Sequence, residues 1–211
     1  LTFASYNIHK AVGLDARRDA DRIITVLREV DADIIALQEV DRRFGPRASV
    51  LPRVLLDDTK WRPLPVAKRR RSLGWHGNAL LVRRDIECIH AEPLHLPTLE
   101  PRGAVMAELT VDREPIRILG AHLDLSGLRR RDQIKAILKH CARRPRMPTV
   151  IMGDFNQWGR LTGAMQAFGM GWQQIMPGPS YPASRPVARL DRIVATPDFS
   201  YLDSGVHHSA T

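Results

Sequence analysis

Apolar and polar positions along the chain follow two periods in turn. Leu1 to Ile8 reads as a strand, with Phe3 and Tyr6 as strand-favouring residues. From Asp19 to Val30 the period lengthens: Ile23, Val26, Leu27 and Val30 recur at helical spacing, and Asp19 and Asp21 stand where a helix dipole favours negative charge. Asp31 and Asp33 mark a loop before Ile34-Ile35-Ala36-Leu37-Gln38, a continuous apolar run of the kind buried on both faces, closed by Glu39. Residues 42–75 are irregular and rich in arginine and proline, with a short helix expected over Leu51 to Leu56. Gly77-Asn78 then leads into a strand, Ala79 to Val82. A Pro-punctuated segment follows. Ala104 to Val111 and Ile116 to Leu119 make a hairpin about Asp112-Arg113-Glu114-Pro115, the second strand ending in Gly120-Ala121-His122-Leu123. Arg129 to Cys141 is the clearest helix, with Ile134, Ile137, Leu138 and Cys141 as its apolar stripe and a basic opposite face. The run Thr149 to Asn156 is another strand, residues 157–188 are loop-rich around a short helix at Thr162 to Phe168, and Arg189 to Ala195 is the last strand.

Helices and strands interleave, yet the hairpin excludes a purely parallel sheet. The pattern predicts a layered α/β architecture with two mixed β-sheets packed face to face. No internal repeat or linker divides it, so residues 1–211 read as a single domain.

Composition narrows the class. With 44% hydrophobic and 26% charged residues the chain suits a globular domain with a substantial core. No apolar run reaches the roughly 20 residues of a membrane span, and no basic-then-apolar leader opens it. Cys88 and Cys141 stand far apart without metal-ligand company and read as reduced and inert. These absences point to the cytoplasm, and a monomer is expected. The net charge of +9 gathers at Lys68-Arg69-Arg70-Arg71, Arg129-Arg130-Arg131 and Arg143-Arg144-Pro145-Arg146, which suits a polyanionic partner, nucleic acid or an anionic membrane surface. A basic surface without a specific partner is the alternative. Aromatic content of 6% offers no evident base-stacking platform. Trp75 and Trp158 lie beside polar strand ends, where they line a substrate cleft or simply pack.

The chemistry concentrates at strand ends. Val150-Ile151-Met152-Gly153-Asp154-Phe155-Asn156 is an apolar strand delivering a carboxylate and a carboxamide two residues apart, which extended backbone points to one side. The same corner also reads as an Asx turn bonding its own backbone. Asn7, Glu39, Asn78, His122 and Asp191 lie at other strand ends, which suggests a shared rim. Glu39 and Asp154 are hard oxygen ligands suited to Mg²⁺ or Mn²⁺, and His122 could donate a hydrogen bond to a phosphoryl oxygen.

Tyr6-Asn7-Ile8, Leu37-Gln38-Glu39-Val40, Gly77-Asn78-Ala79-Leu80-Leu81, Arg102-Gly103-Ala104, Ala121-His122-Leu123, Gly153-Asp154-Phe155-Asn156 and Leu190-Asp191-Arg192-Ile193 occur in an order that resembles the endonuclease/exonuclease/phosphatase (DNase I-like) superfamily. That resemblance implies a four-layered α/β sandwich with its site at one edge of the paired sheets, and a divalent-metal-dependent phosphoesterase. It implies Glu39 and Asn7 at the Mg²⁺ or Mn²⁺ ion, Asp154 on the attacking water, Asn156 on a phosphate oxygen and His122 on the scissile phosphate. Asp191 takes the place of a family aspartate, or serves as a structural strand-end partner. Asn78 and Arg102 fall near the substrate. Nucleic acid is slightly favoured as substrate by charge, with a phospholipid headgroup or inositol phosphate as the rival, and a non-catalytic anion-binding module as the reading from another class. The family's final Ser-Asp-His motif does not occur. His207-His208-Ser209 lacks its aspartate and reads as strand or surface, and the expectation is that the natural chain continues through that motif and a closing strand.

Overall fold

The structure, a computed structural model, describes residues 1–98, 102–159 and 163–209. One sheet holds β1 (Phe3–Asn7), β2 (Ile34–Gln38), β3 (Trp61–Pro63) and β4 (Ala79–Arg83) in the order β1-β2-β4-β3. The other holds β5 (Glu87–Leu94), β6 (Gly103–Val111), β7 (Glu114–His122), β8 (Thr149–Asp154), β9 (Gln173–Ile175) and β10 (Asp191–Ala195) in the order β5-β6-β7-β8-β10-β9. Among the described residues, only β1–β2 and β7–β8 pair in parallel. Each of these pairs is joined by a crossover helix, α1 (Ala20–Val30) and α3 (Gly127–Ala142) respectively. A short α2 (Arg53–Asp57) lies between β2 and β3.

Alternation along the buried strands builds the layers. In β2, Ile34 and Ala36 face the second sheet, while Ile35 and Leu37 pack with Ile23 and Leu27 of α1. In β8, Val150 and Met152 enter the inter-sheet core, and Ile151 turns outward to Ile134 and Ile137 of α3. Three apolar layers between four layers of backbone give the expected four-layered sandwich. The sheets are in close contact at Gly120, where an added Cβ would lie 3.2 Å from both Ala36 Cβ and Leu80 Cδ2. No described helix is long and apolar enough to cross a membrane.

Local chemistry fixes the boundaries. Asp19 caps α1, its side chain accepting from Arg22 N at 3.1 Å. Pro52 moves α2 two residues beyond the expected Leu51 start, because the residue before a proline avoids the helical region. The hairpin turns on Asp112 and Arg113 alone, both at positive φ, so Glu114 and Pro115 already belong to β7. The short strands β3 and β9 and the bulged, proline-bearing edge strand β5 were not marked by alternation. Of the short helix expected at Thr162 to Phe168, a 3-10 turn over Gly163–Phe168 is present, and Thr162 lies outside the described residues. The expected stripe of α3 packs on one core cluster, Ile134 and Ile137 buried and Leu138 and Cys141 half-buried against it, and Arg130 and Gln133 are buried as well. Both cysteines are free.

Candidate active site

Strand register gathers the polar residues. Gly103 on β6, His122 on β7, Asp154 on β8 and Asp191 on β10 are successive partners, making one row across the larger sheet. In the smaller sheet Asn7 pairs with Gln38, and Leu37 with Ala79, next to Asn78. Asn78 and Asp191 precede or begin their strands rather than ending them. β4 and β10 run antiparallel to β2 and β8, so their starts meet the others' ends at the same edge.

The two rows are joined by side chains. Asn7 Nδ2 donates to Asp154 Oδ2 at 3.1 Å, and Asn7 Oδ1 accepts from His9 N at 3.1 Å. Ser5 Oγ lies 3.4 Å from Gln38 Oε1 and 3.3 Å from Asp191 Oδ1. Burial, then the neighbouring Asp154 charge, raises the Asp191 carboxyl to about 6. Asp191 therefore sits in a structural hydrogen-bond position as well as in the row.

Asp154 and Asn156 reach the rim by a route other than simple alternation. The strand ends at Asp154, and Asn156 lies outside it at φ 50, its N–H donating to Asp154 Oδ1 at 2.9 Å. The Asx turn and the polar rim are thus one and the same feature. Asn156 Nδ2 and Arg102 Nη1 both donate to Leu123 O at 2.9 Å, tying the end of β7 to the corner. Behind it, Arg130 Nη2 donates to Gln157 Oε1 at 3.1 Å, and Arg192 Nη2 to Gln157 O at 3.0 Å and Gly159 O at 2.7 Å. Arg130, expected among the surface cations, is instead a buried brace for this loop.

Arg102 also contacts His122 Nε2 closely. A guanidinium offers only donors, so Nε2 accepts and the imidazole is neutral, with its proton on Nδ1. Burial likewise pushes the His122 pKa below its ordinary value, against the pull of Asp154 3.6 Å away. In this arrangement Arg102 carries the positive charge, and His122 Nε2 is not a donor.

Opposite stands Glu39, at φ 57 beyond the end of β2. Its carboxylate is ion-paired with Lys10, held by a left-handed turn in which His9, Lys10 and Ala11 have φ 45, 55 and 59. Burial alone would raise Glu39, but Lys10's hydrogen bond and charge prevail and hold it below the usual range. Non-glycine residues at positive φ are costly, and here they flank the polar rim on both sides. The residues that motif reading missed are Ser5, Lys10 and the Arg42, Arg43 and Arg47 part of a cleft wall beside Glu39 and His122, a wall that also includes Lys68 and Arg69 of the expected basic cluster.

Asn78 is fully buried, and its Oδ1 has no hydrogen-bond partner. With Glu39 and Asn7 it offers oxygen donors, the set a hard divalent cation takes. Among the described residues no group of three or more His, Cys, Asp and Glu is gathered as a metal cluster. A Mg²⁺ ion is commonly held by one or two carboxylates together with water and substrate phosphate. Trp75 lines the cleft, whereas Trp158 is 66% exposed and packs edge-on against Tyr181. Of the basic clusters, Lys68 and Arg69 line the cleft and Arg129 to Arg131 lie at the rim end of α3. Arg144 is at the far end of α3, paired with Glu92 and Glu108.

The family model described as "Endonuclease/Exonuclease/phosphatase family" matches residues 4–211. No curated protein is similar enough to match. Among solved structures, the Bacteroides thetaiotaomicron mannosyl-6-phosphatase superposes with a TM-score of 0.75 at 16% identity, covering 99% of this chain and 90% of that one. D. rerio TDP2 complexed with single strand DNA product gives 0.70 at 16% identity over 93% and 83%. The human Nocturnin catalytic domain with bound sulfate gives 0.67 at 19% over 91% and 81%. At these identities the likeness is one of fold.

Proposed function

Because the chain belongs to the endonuclease/exonuclease/phosphatase family, we propose that it is a phosphoric-ester hydrolase acting at the shared edge of its two sheets. The observation that carries this reading is the junction of the rows, where Asn7 of one sheet meets Asp154 of the other at 3.1 Å in the middle of the rim.

Asp154 takes the attacking water and accepts its proton as the water oxygen bonds to phosphorus. The bond from phosphorus to the leaving oxygen breaks in the same displacement, and that oxygen leaves protonated by solvent. Asn7 fixes the Asp154 carboxylate, and Asn156, with one N–H on Leu123 O, has the other for a phosphate oxygen. Arg102 neutralises the phosphoryl oxygens, and His122 holds the guanidinium in place through Nε2. This refines the expected role of His122 from donor to positioner. Asp191 steadies Ser5 and the row from which Asp154 projects. Asn78 lies beside the same pocket.

Glu39 with Asn7 would hold a Mg²⁺ or Mn²⁺ ion, Lys10 giving up the carboxylate to it. When bound, such an ion supplies Lewis-acid stabilisation of charge on the phosphate and the leaving oxygen. Turnover of a water-soluble phosphodiester in Mg²⁺- or Mn²⁺-supplemented buffer tests the reading. Glu39→Ala should abolish it; activity retained in that variant would overturn the metal-dependent reading, and a wild type inert on every phosphate ester favours a non-catalytic anion-binding module.

For the substrate, the arginines and lysines along the cleft support a phosphodiester in a polyanionic setting. Charge alone favours a nucleic-acid strand. Apolar side chains exposed around the rim favour a phospholipid, and they support a more specific conclusion.

A further inference from the structure

We propose that the edge of the sandwich bearing the polar row is a docking surface for an anionic phospholipid bilayer. The evidence is where the exposed large apolar side chains lie. Leu125 is 64% and Leu128 77% exposed, on the loop and first turn that follow β7 just beyond His122. Trp158 is 66% exposed two residues past Asn156. Tyr181, 50% exposed, and Val187, 66%, belong to one small turn that leads to Asp191 at the start of β10. Phe44, 82% exposed, sits between Arg43 and Arg47 on the opposite lip of the cleft. Each of these segments issues from the end of the sheet where the polar residues meet. Six of the thirteen exposed large apolar side chains among the described residues therefore surround the site on two sides, while others, such as Ile89, Met170 and Leu202, lie elsewhere.

Single exposed apolar residues are ordinary, but a ring of them around one cleft marks an interaction surface. Charge says which kind. Exposed Arg42, Arg43, Lys68 and Arg69 accompany Phe44 on one lip, and Arg131 and Arg185 are exposed close to Leu128 and Val187 on the other. Apolar tips interleaved with cations match the boundary between acyl chains and anionic headgroups. A nucleic-acid strand uses flat stacking faces, which Leu125, Leu128 and Val187 lack. Trp158 and Tyr181 meet edge-on at 82°, leaving no parallel slot for a base. The tips are spread over separate loops around a cationic opening, which does not suit self-association through one flat face.

Docking would bring a headgroup phosphate to Arg102 and Asp154 without extracting the lipid, and only this consequence rests on the hydrolase reading. Binding itself is measured without turnover. Wild-type protein is floated with vesicles of equimolar phosphatidylcholine and phosphatidylglycerol, and with pure phosphatidylcholine vesicles. It should bind the anionic vesicles and not the neutral ones. The double variant Leu128→Ser with Trp158→Ser, altered only at exposed positions, should bind about tenfold or more weakly, with an unchanged circular-dichroism melting curve and unchanged turnover of a water-soluble diester. The proposal is overturned if wild type fails to float, if the variant floats as well as wild type, or if the substitutions weaken oligonucleotide binding or dissolve a dimer while vesicle binding is unaffected. Flotation without hydrolysis of any ester would leave docking standing and remove the hydrolase reading; the converse would remove docking alone.

Discussion

The two walls of the candidate site are built by different means. The wall from the larger sheet is a matter of register: His122, Asp154 and Asp191 are side by side because β7, β8 and β10 are hydrogen-bonded neighbours, and Arg130 and Arg192 brace the loop behind them. The wall from the smaller sheet depends on backbone conformation beyond strand ends. Glu39 sits at positive φ, Lys10 comes from a left-handed turn, and the arginines of residues 42–47 and 68–69 lie on loops. Asp41 anchors those loops by accepting from Leu73 N at 2.8 Å and Gly74 N at 3.2 Å. A register-built wall holds reacting groups to fixed separations, whereas a loop-built wall can adapt to the rest of a substrate. If that division is right, substitutions in the first wall should change kcat, and those in the second should change KM.

The largest effect is expected at Asp154. Asp154→Asn keeps the shape of the corner but removes the proton acceptor, and should lower kcat by about 10³- to 10⁴-fold with little change in KM. Steady-state kinetics on a soluble phosphodiester decide it; a loss confined to KM would move Asp154 out of the chemistry. Next comes Gly153→Ala. The Cβ would stand 1.8 Å from Ala121 O at a φ of +153, in the pairing that sets His122 beside Asp154. Denaturant unfolding should show a loss on the order of 3–5 kcal/mol, among the largest for a single substitution.

Asp191 separates structure from chemistry within the same wall. Its carboxyl is raised from 3.8 to about 6, so the folded protein keeps a proton that the unfolded chain releases at lower pH. The contribution is fully present below about pH 4 and is lost as pH rises through about 6, an amount on the order of 2–3 kcal/mol. Asp191→Asn, which resembles the protonated form, should flatten the decline of unfolding free energy over that range. An unchanged pH profile would mean that Asp191 is ionised in the folded protein.

The division between walls also explains what the sequence disclosed. Continuous apolar runs such as Ile34–Gln38 and Thr149–Asp154 are buried on both faces, and that continuity marks them plainly. The four layers and the register wall follow from those runs. The Gly-Asp-Phe-Asn corner was legible as a site, but its geometry was not, because a positive φ at Asn156 replaces the extended backbone that alternation assumes. Lys10 was hidden by a left-handed turn of three non-glycine residues that no propensity marks. Arg130 looked like surface charge, since its burial depends on Asp124 O and on Gln157 supplied by the loop after β8. The edge strand β5 was lost among its polar and proline positions.

The smallest effect tests the second wall most directly. Arg69 is exposed and lines the cleft, where a solvated cation contributes on the order of 1 kcal/mol to holding a distant anion. Arg69→Ala should therefore raise KM for a polyanionic substrate by about fivefold, leave kcat unchanged, and leave KM for a small monoanionic diester unchanged. Salt offers an internal control: exposed charges are screened over about 8 Å at physiological ionic strength, so the difference between wild type and variant should shrink as salt is added. A drop in kcat instead would place Arg69 against the reacting phosphate and erase the distinction between an adaptable wall and a chemical one.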